Sequence, residues 1–190
     1  MESNPQWVVG IDLSLTSTAV AALDIASGNL FVHRVKSKGS ASDTLTDKLT
    51  RYRNLSNDIA AAALSVSPIL VAIEGAQFAT SKDTSAHRRA GLWWRVCDII
   101  QDCDIPVVEI PPTTVKKWAT GKGNASKDMV LASAVRKWPY TVQQNDEADA
   151  SWLSDIAAYL CSSGLTKPGA TRDGILAKVC RVGIPDLTPV

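Results

Sequence analysis

The chain has 190 residues, 45% of them hydrophobic and 21% charged, which describes one globular domain with its own core and excludes a disordered or fibrous chain. Twenty Lys and Arg stand against 19 Asp and Glu, so the formal charge is +1 and offers no bulk argument for a polyanionic partner. The longest apolar runs, Ile59–Leu64 and Ile69–Ile73, are far short of a membrane span, and no basic, apolar leader with a cleavage site opens the chain. Residues 7–12, Trp-Val-Val-Gly-Ile-Asp, form a nearly continuous apolar run, which predicts a central strand covered on both faces. Thr18–Ile25 and Leu30–Val35 read as two more strands, joined by the turn residues Ser27-Gly28-Asn29. The period then changes: Leu45, Leu49, Tyr52, Leu55, Ile59 and Leu64 predict a helix over 42–66, with Ser42 or Asp43 as its N-cap. Pro68 ends it and Ile69–Glu74 reads as a buried strand. A helix is expected over 84–102, then a strand over Pro106–Ile110 closed off by Pro111-Pro112, then helices over 126–138 and 147–162. The order is βββ-α-β-α-β-α-α, one mixed α/β domain over residues 1–165. The tail, 166–190, is expected to add at most one short helix near 171–181.

The four cysteines form no C-x-x-C pair and there are only two histidines, His33 and His87, so a Cys/His zinc site is not expected and the thiols are read as reduced and mostly buried. The informative residues are acids at positions where apolar side chains belong. Asp12 follows Val8-Val9-Gly10-Ile11 and Glu74 follows Ile69-Leu70-Val71-Ala72-Ile73, each at the end of a buried-type strand. Asp149 continues the apolar stripe Leu153, Ile156, Leu160 backwards by one turn, and Asp146 lies three residues before it on nearly the same face. A buried carboxylate needs a cation or donors. Taken singly, each acid could cap a turn or a helix; as a set, oxygen-only ligands without His or Cys suit a hard ion such as Mg²⁺ or Mn²⁺. Two such ions about 4 Å apart can activate a water and stabilise the leaving oxygen of a phosphodiester.

At these residues the sequence resembles the RuvC family of Holliday-junction resolvases, within the RNase H-like nucleases. Gly10-Ile11-Asp12-Leu13-Ser14 is similar to that family's opening motif, Ala72-Ile73-Glu74 to its Ala-Ile-Glu, and Asp146-Glu147-Ala148-Asp149-Ala150 to its closing Asp-x-x-Asp-Ala. Val115-Lys116-Lys117 and Gly121-Lys122-Gly123-Asn124-Ala125-Ser126-Lys127 match its Val-Lys and Gly-x-Gly-x-Ala-x-Lys stretch, in the same order. The resemblance spans residues 7–162. It implies a five-stranded mixed sheet in the order 3-2-1-4-5 flanked by helices. It also implies catalytic and metal-binding roles for Asp12, Glu74, Asp146 and Asp149, with two Mg²⁺ per site (Mn²⁺ able to substitute). The implied partners are branched DNA, four-way junctions above all, and a second copy of the chain in a homodimer with two active sites. Apart from the resemblance, reduced thiols without an export signal predict a cytoplasmic location, the host's cytoplasm if the source is viral. Where the family often carries Asp-Pro-Gly, this chain has Asp12-Leu13-Ser14, and the aromatic residue expected after the glutamate is Phe78, about one residue late.

Charge is unevenly distributed. Thr113–Lys137 carries a net +5 and Ser81–Arg95 a net +3. Lys116, Lys122 and Lys127, with Arg88 and Phe78, are the candidate DNA contacts, the glycine turn and helix start near Ser126 being suited to a phosphate. Trp93, Trp94, Trp118, Trp138 and Trp152 are read as core or dimer-interface residues, Trp118 being the one nearest the basic segment. Two other function classes stay open. One is a branched-DNA-binding protein with little nuclease activity. The other is a phosphotransferase, because Gly10-Ile11-Asp12 followed by Ser14, Thr16, Ser17 and Thr18 also resembles the first phosphate loop of sugar kinases and actin-like ATPases. The DEAD-box spelling of Asp146–Asp149 comes without a G-x-x-x-x-G-K-[ST] loop and is set aside.

Overall fold

A computed structural model describes residues 5–76, 85–162 and Leu176. The first apolar run forms β1 (Trp7–Asp12), which leads into β2 (Ser17–Asp24) and β3 (Leu30–Lys36). The turn between β2 and β3 has Gly28 at φ 73°, and Asp24 accepts hydrogen bonds from Ala26 and Ser27 to close it. Next come α1 (Leu45–Leu64), β4 (Leu70–Glu74), α2 (Ala86–Gln101) and β5 (Val107–Ile110). The five strands make one sheet ordered β3-β2-β1-β4-β5, as expected. β1 pairs antiparallel with β2 and parallel with β4, and β4 runs parallel with β5.

Three helices follow β5: α3 (Pro112–Thr120), α4 (Lys127–Lys137) and α5 (Asn145–Ser162). The first of these is a correction. Pro111-Pro112 reads as a stop, yet Pro112 opens α3, because proline's fixed φ and missing N–H suit the first helical turn. Gly121, at φ 80°, ends α3 with its N–H on the Lys117 carbonyl, and Ser126 caps α4 by accepting from the Met129 N–H. A second correction concerns α1. Its N-cap is Thr44, not Ser42 or Asp43: Thr44 and Asp47 form a reciprocal capping box, which places the helix start two residues further on.

Side chains alternate across the sheet and feed two cores. One face packs Val9, Ile11, Val71 and Ile73 against Leu55 and Ile59 of α1 and Leu92 and Val96 of α2. The other packs Val8, Ala21, Leu70 and Ala72 against Leu153, Ile156 and Leu160 of α5, and Val115 of α3 and Val130 and Ala134 of α4 complete it. Leu176 is buried in this second core; the rest of the expected tail helix lies outside the described residues. Trp138 and Trp152 are core residues as expected, whereas Trp94 is 68% exposed. Cys97 is buried and Cys161 half-buried, but Cys103 is exposed. No helix among the described residues is long and apolar enough to cross a membrane.

Candidate active site

β1 and β4 run side by side in the same direction, with Gly10 opposite Ala72 and Ile11 opposite Ile73. Two residues beyond Gly10 and Ala72 come Asp12 and Glu74, so period-2 alternation puts both carboxyls on the α5 face at one edge of the sheet. α5 begins at that same edge and brings Asp146 and Asp149. It can lie this close because residue 10 is glycine: a Cβ there would fall against the Ala150 carbonyl oxygen and the Ser154 nitrogen, and 2.8 Å from Leu153 Cβ. The backbone of α5 occupies the space a side chain would take.

The result is an electrostatic conflict. Asp12 is half-buried, and burial, followed by the charges of Glu74 and Asp149, holds its carboxyl well above the ordinary range. A hydrogen bond with Glu74 adds to the rise. Glu74 is itself raised by burial, a shift opposed by the Asp12 hydrogen bond and by Lys127 and Lys116. Asp149 is pushed up to about 6 by burial and by Glu74, again against the pull of Lys127 and Lys116. Thus two of the sequence-predicted lysines, from α3 and from the first residue of α4, are the cations that act on this acidic group.

Asp146 has found a different partner. Its Oδ2 is 2.8 Å from Nη2 of Arg34 on β3 and accepts from the Ser17 hydroxyl at 3.0 Å, while Oδ1 accepts from the Glu147 N–H. The sequence does not single out Arg34 as a site residue, and it singles out Ser17 only within the alternative phosphate-loop resemblance. The available signal is parity: Leu30, Val32 and Arg34 lie on one face of β3, so an arginine occupies an inward position of a strand.

Asp12, Glu74, Asp146, Ser17, Arg34 and Lys127 all line one cleft of about 710 Å³, which Arg89 and Trp93 of α2 also line. Arg88, the expected contact, is exposed and outside this lining, with its neighbour Arg89 facing inward. Lys122 is exposed in the turn between α3 and α4. Phe78 lies outside the described residues. Trp118 is half-buried and donates its indole N–H to Asp155 at 2.9 Å, which ties α3 to α5.

Among the described residues no group of three or more His, Cys, Asp or Glu side chains stands ready to hold an ion. The donor set nonetheless suits a hard divalent ion, being oxygen-only and carrying negative charge that burial makes costly. Asp12, Glu74, Asp146 and Asp149 are the residues that could hold it.

No protein-family model matches the chain. Two curated relatives, both named crossover junction endodeoxyribonuclease RuvC and both from strains of Rickettsia bellii, are 27% identical over 157 residues, covering 81% of this chain and 95% of theirs. Among solved structures, Thermus thermophilus RuvC aligns with a TM-score of 0.65 and 20% identity over 82% of this chain and 95% of its own. The same protein in complex with a Holliday junction substrate gives 0.67 and 19%, over 84% and 96%. The chain has the RNase H-like fold of RuvC and resembles the RuvC endonucleases across its sheet and the helices that carry the acidic site.

Proposed function

We propose that this chain is a metal-dependent, structure-selective DNA endonuclease that resolves four-way or other branched DNA by nicking phosphodiester bonds. The observation that carries the reading is that Asp12, Glu74 and Asp146 line one cleft, that Asp149 interacts electrostatically with all three, and that Lys116 and Lys127 act on Glu74 and Asp149. The name of the Rickettsia relatives and the junction complex of the Thermus protein point the same way.

On this reading the four acids hold two Mg²⁺, with Mn²⁺ able to substitute. When bound, such ions supply water activation and charge stabilisation at the leaving oxygen. The chain's own residues do the rest. Asp12, Glu74, Asp146 and Asp149 would offer the ions their carboxylate oxygens, and the packing of α5 on β1 holds the acids in place. Lys116 and Lys127 neutralise the phosphate backbone and set its register over the acids, while Lys122, Arg88 and Phe78 are placed to extend the contact along the strand. A homodimer would present two such sites, one for each of two opposed strands.

A cleavage panel of four-way, three-way, flap and linear DNA, with and without Mg²⁺, tests this. Asp12→Asn is expected to abolish nicking of the four-way junction and leave gel-shift binding nearly intact; nicking at the wild-type rate would remove Asp12 from the site. A second reading, branched-DNA binding without cleavage, is favoured by the pairing of Asp146 with Arg34. Tight binding with no cleavage in either Mg²⁺ or Mn²⁺ would select it.

A further inference from the structure

Arg34 is the cation most intimately joined to the acidic edge. It reaches across the sheet from β3: Arg34 lies opposite Ala19, and Ala19 lies opposite Asp12, so the three form one cross-strand row with a small residue in the middle. The guanidinium makes three short contacts, Nη2 to Asp146 Oδ2 at 2.8 Å, Nη2 to Ser17 Oγ at 2.8 Å and Nη1 to Gln144 Oε1 at 2.6 Å. Ser17 completes a triangle by donating to the same Asp146 Oδ2. Oδ1 accepts only the Glu147 N–H, whereas Oδ2 receives both the Ser17 hydroxyl and the Arg34 guanidinium, so Oδ2 is the carboxylate oxygen whose acceptor positions are filled.

We propose that Arg34 is the resident counter-cation of this site: it neutralises Asp146 in the metal-free protein and must yield Asp146 Oδ2 before a divalent ion can take it, so Arg34 sets the metal affinity. The inference rests on the nuclease reading above and assigns a positioning and regulating role, not a catalytic one. Three features support exchange rather than a permanent bridge. The two side chains keep 22% and 18% of their surface exposed, so the pair borders the cleft and is not sealed in the core. The Arg34 Nε is buried with no hydrogen-bond partner, so the guanidinium is held by its tips alone and its fork is not fully matched. Of the four acids, Asp146 is the one in an ion pair, with Arg34, whereas Glu74 and Asp149 feel the charges of Lys116 and Lys127. A monovalent guanidinium on a metal-ligand oxygen opposes the incoming ion both by occupying its place and by repelling its charge.

Calorimetric titration of the full chain with Mn²⁺, in the absence of DNA, tests the exchange. Arg34→Met, which keeps the apolar stem and removes the charge, is expected to bind Mn²⁺ about tenfold more tightly than wild type, or about 1.4 kcal/mol. Arg34→Lys should stay within about threefold of wild type, since it keeps the competing charge. The gain should vanish when Asp146→Asn is added to Arg34→Met. A purely structural Arg34 would give the opposite sign, because an Asp146 that loses its support binds metal less well. Unchanged or weaker binding by a folded Arg34→Met, beside measurable binding by wild type, overturns this inference alone. If wild type and Arg34→Met both fail to bind Mn²⁺, the metal-site reading falls and takes the inference with it. Should Arg34→Met not fold, the wild type still decides: the Arg34 guanidinium resonance in nitrogen-labelled protein is expected to move on saturation with Mg²⁺. A resonance that stays still while Mg²⁺ binds refutes the exchange.

Discussion

Replacing Gly10 by alanine adds one methyl at the point where the central strand touches α5. That methyl would overlap the Ala150 carbonyl oxygen and the Ser154 nitrogen, both backbone atoms, and sit 2.8 Å from Leu153 Cβ. No flexible side chain can turn away, and β1 is pinned by β2 on one side and β4 on the other, so α5 must move. Overpacking of this kind costs about 3 kcal/mol, the upper end of the usual range. Alanine's lower unfolded-state entropy offsets about 0.5–1 kcal/mol of that. The net loss is therefore about 2–3 kcal/mol, which lowers Tm by about 4–12 °C for a domain of this size. Relief of the overlap requires a shift of about 1 Å, and a misplacement of that size at reacting groups can cost about 100-fold in rate. Because Asp146 and Asp149 ride on the displaced helix while Asp12 stays on the strand, the cleavage rate should fall by that order, beyond what unfolding explains at 25 °C. Thermal denaturation by circular dichroism and single-turnover cleavage of a four-way junction measure the two effects. A variant with Tm within about 2 °C of wild type and an unchanged rate would show that the contact between Gly10 and α5 does not position the acids.

Two further outcomes follow from the electrostatics. Burial and the charge of Glu74 push the Asp149 carboxyl from the ordinary aspartate value of 3.8 up to about 6, so between those values the folded protein holds a proton that the unfolded chain has lost. Metal-free stability should therefore fall as pH rises from about 4 to about 6, by at most about 3 kcal/mol, and level off above. Mg²⁺ should raise Tm more at pH 8 than at pH 5, as a thermal shift series would show; equal shifts at both would count against ion binding at these acids. Lys116→Ala and Lys127→Ala should each weaken junction binding, measured without divalent ions, and reduce the slope of log K against log salt by about 1. An unchanged slope in either variant would take that lysine off the DNA backbone.

Much of the fold was legible because its signals are local. Apolar runs of strand length, a change of period to 3.6 and turn residues between them place nine of the ten elements in the right order. The missing one, α3, was hidden because a proline pair is read equally well as the end of β5 and as the first turn of a helix, and only packing decides. The boundary of α1 was ambiguous for a similar reason: Ser42, Asp43 and Thr44 are all good N-caps, and the reach of Asp47 back to Thr44 selects one.

The acids were legible too. Asp12 and Glu74 break apolar strands at their ends, and Asp149 breaks an apolar helix stripe, so each announces a buried carboxylate from its own neighbours. What each acid is paired with was not written locally. Ser17 and Asp146 are 129 residues apart, and they meet with Arg34 only because the register of β2 and β3 and the seat of α5 on Gly10 bring them to one edge. The sequence by itself determined which side chains are costly to bury. Only the tertiary structure decided which of them raise one another's pKa, which feel the charges of Lys116 and Lys127, and that Asp146 is held by Arg34, because Coulomb energies depend on distance and burial, which the chain acquires on folding. The same holds for the charge of +1: its sum is fixed by composition, but its separation into an acidic cleft edge and the lysines acting on it is a property of the fold.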